Sequence, residues 1–236
     1  MITSKDCWMK EYCPKSLNSN NKCFFQDEFC IKLFKLDKLY DEALIPQALR
    51  KHQVLTIDAD GTDKNEFVFL KDFQQHIEDN VKKGTNLYIH STTCGNGKTA
   101  WALRCVQSYL EAVWWKSDIK CRALFISVPR YLIALKDSIS NGNSYAEHIK
   151  KNVMEADVVV WDDIATKTAT PFEAENLLSI IDTRMNEGKA NIFTSNLGVL
   201  EMNECMGQRL TSRIVNFSIN IEFHGRDKRA LRGVRL

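Results

Sequence analysis

The sequence predicts an α/β fold in which a mostly parallel, five-stranded sheet is covered by helices on both faces. Short apolar segments alternate with longer segments of helical periodicity, as expected when helices connect parallel strands. A Gly-Lys-Thr loop follows the first apolar segment, and a pair of aspartates closes the third. The five segments assigned to strands lie at residues 87–90, 121–128, 157–164, 190–194 and 217–223.

Helical periodicity fills the intervals between and before these strands. Pro171 favours the start of one helix and Gly188 its end, because proline suits the first helical position and glycine the residue after the last. The final strand alternates apolar and polar residues, which is typical of a half-buried edge strand. The predicted helices cover residues 31–49, with a break at Pro46, and residues 69–82, 100–115, 130–138, 145–154 and 172–186.

The loop after the first strand has the pattern of a phosphate-binding loop. That pattern is G-x-x-x-x-G-K-[ST], and Thr92 replaces the first glycine in the segment T-T-C-G-N-G-K-T. Lys98 would neutralise the β- and γ-phosphates of ATP, Thr99 would ligate Mg²⁺, and backbone N–H groups would surround the phosphates. A chance glycine turn before a helix is the alternative. The predicted nucleotide contacts here are Gly95, Asn96, Gly97, Lys98, Thr99 and Ala100.

Two carboxylates end the apolar run at residues 157–164. Such a run is typical of a buried parallel strand, and ligands of open α/β sheets bind at the carboxyl ends of strands. Asp162 fits a carboxylate that binds Mg²⁺ together with Thr99, and Asp163 fits a base that polarises the attacking water. A solvated Asp-Asp pair in a turn is the alternative. The two motifs together predict an ATPase site.

Composition restricts the class of protein. The chain has 236 residues, 44% of them hydrophobic, which is enough for one core and a small additional module. The net charge of +2 gives no global field directed at nucleic acid. No apolar run is long enough for a membrane span, and no secretory signal is present, so we expect a cytoplasmic protein with no membrane partner and reduced thiols.

Four of the eight cysteines fall within the first thirty residues, at Cys7, Cys13, Cys23 and Cys30. Four thiolates can bind Zn²⁺ tetrahedrally, and so short a segment needs a staple to fold. The tight C-x₂₋₄-C pairs of zinc ribbons are missing, however. Burial of the thiols beside neighbouring aromatic residues is the alternative. The sequence thus predicts a small cysteine-rich N-terminal module, with Zn²⁺ as one explanation for it.

Polar residues after the fourth strand and in the following segment are further candidates. Asn196 would lie between the aspartates and the phosphate loop, where it could orient water or contact the γ-phosphate; capping of a helix is the alternative. Arg209 and Arg213 would share one face of a helix. Either could be solvated, or one could act as an arginine finger on the ATP of a neighbouring subunit.

The ordered series of motifs resembles the DnaC/DnaI/IstB branch of the AAA+ ATPases over about residues 70–236. The motifs are G-N-G-K-T, V-V-V-W-D-D-I, F-T-S-N-L, G-Q-R-L-T-S-R and the terminal G-R-D-K-R. By this resemblance Thr99 and Asp162 serve Mg²⁺ and Asp163 serves hydrolysis. It also implies that Asn196 is the sensor-1 residue, Arg213 the trans arginine finger and Arg229 the sensor-2 arginine. Members of this branch lack a C-terminal helical lid, and we expect the same here.

The resemblance implies an ATP-dependent loader, of phage type, that binds a hexameric replicative helicase and deposits it on single-stranded DNA. The N-terminal region resembles the zinc-carrying, helicase-binding module of DnaI-type loaders. We therefore assign residues 1–45 to that module, 46–70 to a linker and 71–236 to an AAA+ domain that self-associates. An IstB-like ATPase assisting a transposase is the alternative, and an adaptor that uses ATP only structurally is a third. The basic tail at residues 226–235 and the helix at 130–136 are candidate DNA contacts.

Overall fold

The centre of the structure, a computed structural model, is a five-stranded parallel sheet. The description covers residues 27–51, 55–57, 60–118, 120–140 and 142–228. The strands are β1 Leu87–His90, β2 Ala123–Ser127, β3 Val158–Asp162, β4 Ala190–Ser195 and β5 Ile219–Glu222. Their order in space is β2-β3-β4-β1-β5, and every neighbouring pair is parallel. The predicted α/β fold class is confirmed.

Burial on both faces explains the continuous apolar runs of the inner strands. All residues of β1, β3 and β4 are buried, whereas only Ile221 is buried in the edge strand β5. The helices are α1 Asp27–Glu42, α2 Lys64–Gln75, α3 Ile77–Lys82, α4 Lys98–Val113, α5 Val128–Ser140, α6 Ser144–Asn152, α7 Pro171–Asn186, α8 Val199–Met206 and α9 Gln208–Asn216. Short 3₁₀ turns follow at Gln47–Leu49 and Trp114–Lys116.

The helices form two layers with separate apolar cores. Helices α1 to α4 pack on one face of the sheet around Trp101, Val106 and Leu110. The other core is covered by α5 to α9 and is centred on Trp161 and Phe193. The described part of the chain is thus a three-layer α/β/α structure, with the sheet between two helical layers.

Two helical predictions need correction. The helix predicted over residues 69–82 is two helices, because His76 leaves the helical conformation and Asn80 Nδ2 donates to the carbonyl of Phe73 instead. The helix predicted over residues 31–49 ends at Glu42, since Leu44 takes a left-handed conformation with φ 60° and Pro46 follows. Apolar periodicity continues through both breaks, so it does not reveal them.

The predicted division at residue 45 does not coincide with a change in packing. Leu36, Leu39 and Ile45 are buried in the same core as α4. The carbonyl of Ala43 also accepts a hydrogen bond from the backbone of Phe125 on β2, at 2.8 Å. We therefore propose that the packed domain begins before Leu36, and that any separate module lies N-terminal to it.

Other predictions fall on residues that the structure does not describe. Cys7, Cys13 and Cys23 of the proposed zinc module lie outside the described residues, and so do Arg229 and most of the basic tail. Cys30 is half-buried on α1. Among the described residues, no group of three or more histidine, cysteine or acidic side chains could hold a metal ion. No helix in the described ranges is long and apolar enough to cross a membrane.

Candidate nucleotide site

Three sequence motifs meet at the carboxyl edge of the sheet because their strands are neighbours. Strand β4 lies between β3 and β1, so the segment after β4 separates the aspartates from the loop that follows β1. His90 at the end of β1 is paired in register with Ser195 at the end of β4. The predicted position of Asn196, between the aspartates and the phosphate loop, follows from this order.

The loop that follows β1 is held by its own side chains. Ser91 Oγ accepts hydrogen bonds from the backbone of Thr93 at 3.0 Å and from Asn96 Nδ2 at 2.7 Å. Gly95 and Gly97 have φ angles of 74° and 113°, which favour glycine. Thr92 is not among the residues with positive φ, so the loss of the first glycine leaves its backbone unstrained.

Lys98 is the first residue of α4 and is buried within the loop, with 4% of its surface exposed. Its ammonium donates to the carbonyl of Thr93 at 2.8 Å and to Asn96 Oδ1 at 3.1 Å. No side chain caps α4, because Gly97 occupies the N-cap position. A buried cation at the positive end of a 16-residue helix provides an anion-binding site of the kind that phosphates occupy.

Asp162 is buried at the end of β3 and faces this loop. Its Oδ1 accepts a hydrogen bond from Thr194 Oγ1 at 2.8 Å, and the Thr99 side chain is close enough to act on the pKa of its carboxylate. Burial, followed by the charge of Asp163, raises the pKa of Asp162 to about 6, while Thr194, Thr99 and Lys98 act in the opposite direction. The carboxylate is therefore mostly ionised at neutral pH. A carboxylate in contact with a hydroxyl is a hard oxygen donor set that fits Mg²⁺.

The Asp163 side chain is directed towards Asn196, which follows β4 at the carboxyl edge of the sheet. Its Oδ1 accepts a hydrogen bond from Asn196 Nδ2 at 3.1 Å. The Asp163 backbone is left-handed, with φ 56°, and its N–H donates to Thr194 Oγ1 at 2.9 Å. The structure therefore brings Lys98, Thr99, Asp162, Asp163 and Asn196 to one edge, and it gives the two aspartates different partners.

Comparisons with known proteins identify chains of similar sequence and similar fold. The chain matches no protein-family model. Over 91 residues it is 25% identical to the replicative helicase loader DnaC of Escherichia coli strain K12, a stretch of 39% of this chain and 37% of that protein. Its fold is similar to the crystal structure of DnaI, with a TM-score of 0.59 and 19% identity, over 80% of this chain and 100% of that one. The predicted resemblance is confirmed at the level of similarity: the chain is similar in sequence to DnaC and in fold to DnaI.

The fold is also similar to that of a nucleotide-bound structure. AMPPCP-bound DnaA from Aquifex aeolicus has a TM-score of 0.55 and 18% identity, over 71% of this chain and 48% of that one. At such identities the solved structures establish the fold only. The sequence match to DnaC covers well under half of either protein, so it does not by itself transfer an activity.

Arg213 lies on α9, and its recorded side-chain partners are outside the phosphate loop. It forms an ion pair with Asp182 on α7, and its guanidinium lies 5.0 Å from the ring centre of Phe217. Within the described part of the chain its ion pair is thus to α7 and not to Asp162 or Asp163. Arg209 is exposed on the same helix.

Sequence reasoning missed a set of contacts between the phosphate loop and the C-terminal segment. The backbone of Lys228 donates to the Gly95 carbonyl at 3.0 Å, and its ammonium donates to the Thr56 carbonyl at 2.8 Å. A Cβ at Gly95 would lie 1.8 Å from the carboxylate of Asp227, so this position needs glycine. The terminal G-R-D-K-R motif draws attention to its basic residues, but it does not indicate that the segment packs against the phosphate loop.

Proposed function

We propose that this chain binds and hydrolyses ATP at the carboxyl edge of its sheet. The observation that carries the proposal is the convergence of a lysine-bearing loop, a buried carboxylate–threonine pair and a second carboxylate held by an asparagine. The AMPPCP-bound DnaA relative supports nucleotide as the ligand of such a fold. Hydrolysis by this arrangement needs only positioning and charge stabilisation, because phosphoryl transfer to water passes through no protein-bound intermediate.

Each residue of the site has a separate task in this proposal. Lys98 neutralises the β- and γ-phosphates after exchanging its contacts with Thr93 and Asn96 for phosphate oxygens. Thr99 and Asp162 hold Mg²⁺, which when bound supplies positive charge to the phosphate oxygens. Asp163 accepts the hydrogen bond of the attacking water, and Asn196 orients that carboxylate through its amide.

Completion of the site by a second molecule is part of the proposal. Arg213 acts in trans as the arginine finger, and Arg229 acts near the phosphates as the sensor-2 residue. Because the finger belongs to a neighbour, hydrolysis depends on self-association of the AAA+ domain. The Arg213 side chain is 34% exposed, and it would exchange its ion pair with Asp182 for the phosphates of the neighbour's ATP.

We further propose that ATP drives the loading of a replicative helicase onto single-stranded DNA. The sequence match to the replicative helicase loader DnaC supports this role over IstB-like assistance to a transposase. The region N-terminal to Leu36 would bind the helicase, with Zn²⁺ held by Cys7, Cys13, Cys23 and Cys30. The helix α5 and the basic tail would contact DNA phosphates.

Native mass spectrometry of the full chain with its cognate replicative helicase tests the loader. We expect several copies per helicase hexamer with Mg²⁺-ATP and fewer with Lys98→Ala in place of the wild-type chain. Additional mass of one zinc per copy would support the cysteine site. No complex in either condition, with ATP hydrolysis retained, would refute the loader and favour the transposase-assisting ATPase, for which duplex DNA is the next ligand.

A further inference from the structure

The hydroxyl of Thr194 joins the two aspartates of the site. Thr194 lies on β4 and is fully buried. Its Oγ1 lies 2.8 Å from Asp162 Oδ1 and 2.9 Å from the backbone nitrogen of Asp163. One side chain from the neighbouring strand thus contacts both consecutive carboxylate residues, at the point where β3 ends.

The direction of both hydrogen bonds is fixed by the number of protons available. An N–H can only donate, so the Thr194 oxygen accepts from Asp163. The single hydroxyl proton is then committed to the carboxylate of Asp162. A hydroxyl in this position cannot rotate to serve another acceptor without leaving one of its two partners unsatisfied in a buried environment.

The backbone of Thr194 also contacts the turn that follows β3. Its carbonyl accepts from the N–H of Ile164 at 2.9 Å. Asp163 lies between these two contacts in a left-handed conformation, which is unfavourable for a residue other than glycine. Side chain and main chain of Thr194 together therefore hold the peptide that determines where the Asp163 carboxylate points.

We propose that Thr194 is a positioning residue for ATP hydrolysis. Its hydroxyl holds the Asp162 carboxylate at the end of β3, and it holds the Asp163 peptide so that the Asp163 carboxylate faces Asn196. The two carboxylates are adjacent in sequence but are thereby kept in separate tasks: Asp162 binds Mg²⁺ and Asp163 accepts the hydrogen bond of the attacking water. The inference rests on the ATPase function proposed above.

The test compares Thr194→Val, which deletes the hydroxyl at nearly constant volume, with Thr194→Ser, which retains it. Thr211→Val is the matched control, because Thr211 is also buried and its hydroxyl has no hydrogen-bond partner among the described residues. Binding of a fluorescent ATP analogue is measured with EDTA and across a Mg²⁺ titration, and hydrolysis is measured separately. The full chain is used throughout.

We expect Thr194→Val to bind nucleotide normally in EDTA, because Lys98 and its loop are unchanged. The Mg²⁺ concentration for half-maximal effect on binding should rise roughly 10-fold or more, and kcat should fall about 10–100-fold, as for other groups that orient a metal ligand. Thr194→Ser should lie within about 3-fold of wild type, on the same grounds. Thr211→Val should match wild type in both measurements.

Equal behaviour of Thr194→Val and Thr211→Val would overturn the positioning role, as would a serine variant as defective as the valine variant. If the valine variant does not fold, Thr194→Ala against Thr194→Ser makes the same comparison. A wild-type chain that shows neither Mg²⁺-dependent nucleotide binding nor hydrolysis would instead refute the ATPase function itself. The two failures are therefore distinguishable.

Discussion

Replacing Glu173 by glutamine should destabilise the segment that leads away from Asp162 and Asp163. Glu173 is 1% exposed at the start of α7. Its carboxylate accepts from the backbone and the hydroxyl of Thr170, at 2.7 and 2.9 Å, and from Lys136 and Lys167, at 3.2 and 3.3 Å. It thus closes the capping box of α7 and links α7 to α5 and to the 163–170 loop.

The magnitude follows from the effect of these contacts on the carboxyl group. Burial alone would raise the pKa of Glu173, but the hydrogen bonds from Thr170 and the two lysines outweigh it and lower the pKa from 4.5 to about 2. Such a difference corresponds to about 3 kcal/mol in favour of the ionised form. Both lysines are partly exposed, so solvent screening reduces this, and we expect glutamine to cost about 2–3 kcal/mol at neutral pH.

The same reasoning gives a dependence on pH. A carboxyl whose pKa is lowered by folding stabilises the protein above its unfolded pKa, and this stabilisation is lost as the pH falls through the folded pKa. The difference in the free energy of unfolding between wild type and Glu173→Gln should be full near pH 6–7, by this linkage. It should decline below about pH 4.5 and vanish near pH 2.

Thermal unfolding at pH 7 measures the effect, with an expected fall in Tm of about 5–10 °C for a chain of this length. Glu175→Gln is the control, because Glu175 is exposed on the same helix. Its Tm should change by about 1 °C or less. Equal Tm values for the two variants, or a Glu173→Gln deficit that persists unchanged at acid pH, would refute the assignment of the stabilisation to the charge.

Three further predictions concern the nucleotide site. Lys98→Ala should abolish binding of a fluorescent ATP analogue while retaining a wild-type circular dichroism spectrum; undiminished affinity would refute the loop assignment. Arg213→Ala should bind ATP but lose hydrolysis in assemblies, whereas Arg209→Ala should retain both binding and hydrolysis. Equal hydrolysis by the monomers of wild type, Arg213→Ala and Arg209→Ala would refute the assignment of Arg213 as the finger. Cys94 is exposed in the loop, so Mg²⁺-ATP should slow its alkylation at least about 10-fold in peptide mapping, and unchanged labelling at saturating ATP would place the nucleotide elsewhere.

Most of the fold could be predicted because its signals are local. The first four strands are short apolar runs, the fifth alternates apolar and polar residues, and Pro171 and Gly188 mark the two ends of α7. Lys98, Thr99 and Asp162 could be identified because they occur at fixed positions relative to a strand end. Chain order and the parallel arrangement then bring these positions to a common edge.

The missed features depend on contacts between distant segments. The burial of Leu36 and Ile45 beside α4 cannot be read from periodicity, which shows an apolar face but not what covers it. The proposed role of Thr194 depends on the pairing of β3 with β4. Trp161 lies opposite Phe193, and the residues that follow them, Asp162 and Thr194, contact each other through their side chains. A motif of threonine, serine and asparagine does not show which of its polar groups meets a carboxylate.

The segment around Ala43 has a practical consequence for experiments on self-association. Strand β2 is an edge strand of the sheet, and the N–H of Phe125 on this strand donates a hydrogen bond to the Ala43 carbonyl. A shortened protein that began at residue 46 would expose this edge together with the apolar surface that Leu36 and Leu39 cover. Exposed edges pair with other chains. Such a protein would aggregate whether or not ATP were present, and its oligomers would be mistaken for the ATP-driven assembly.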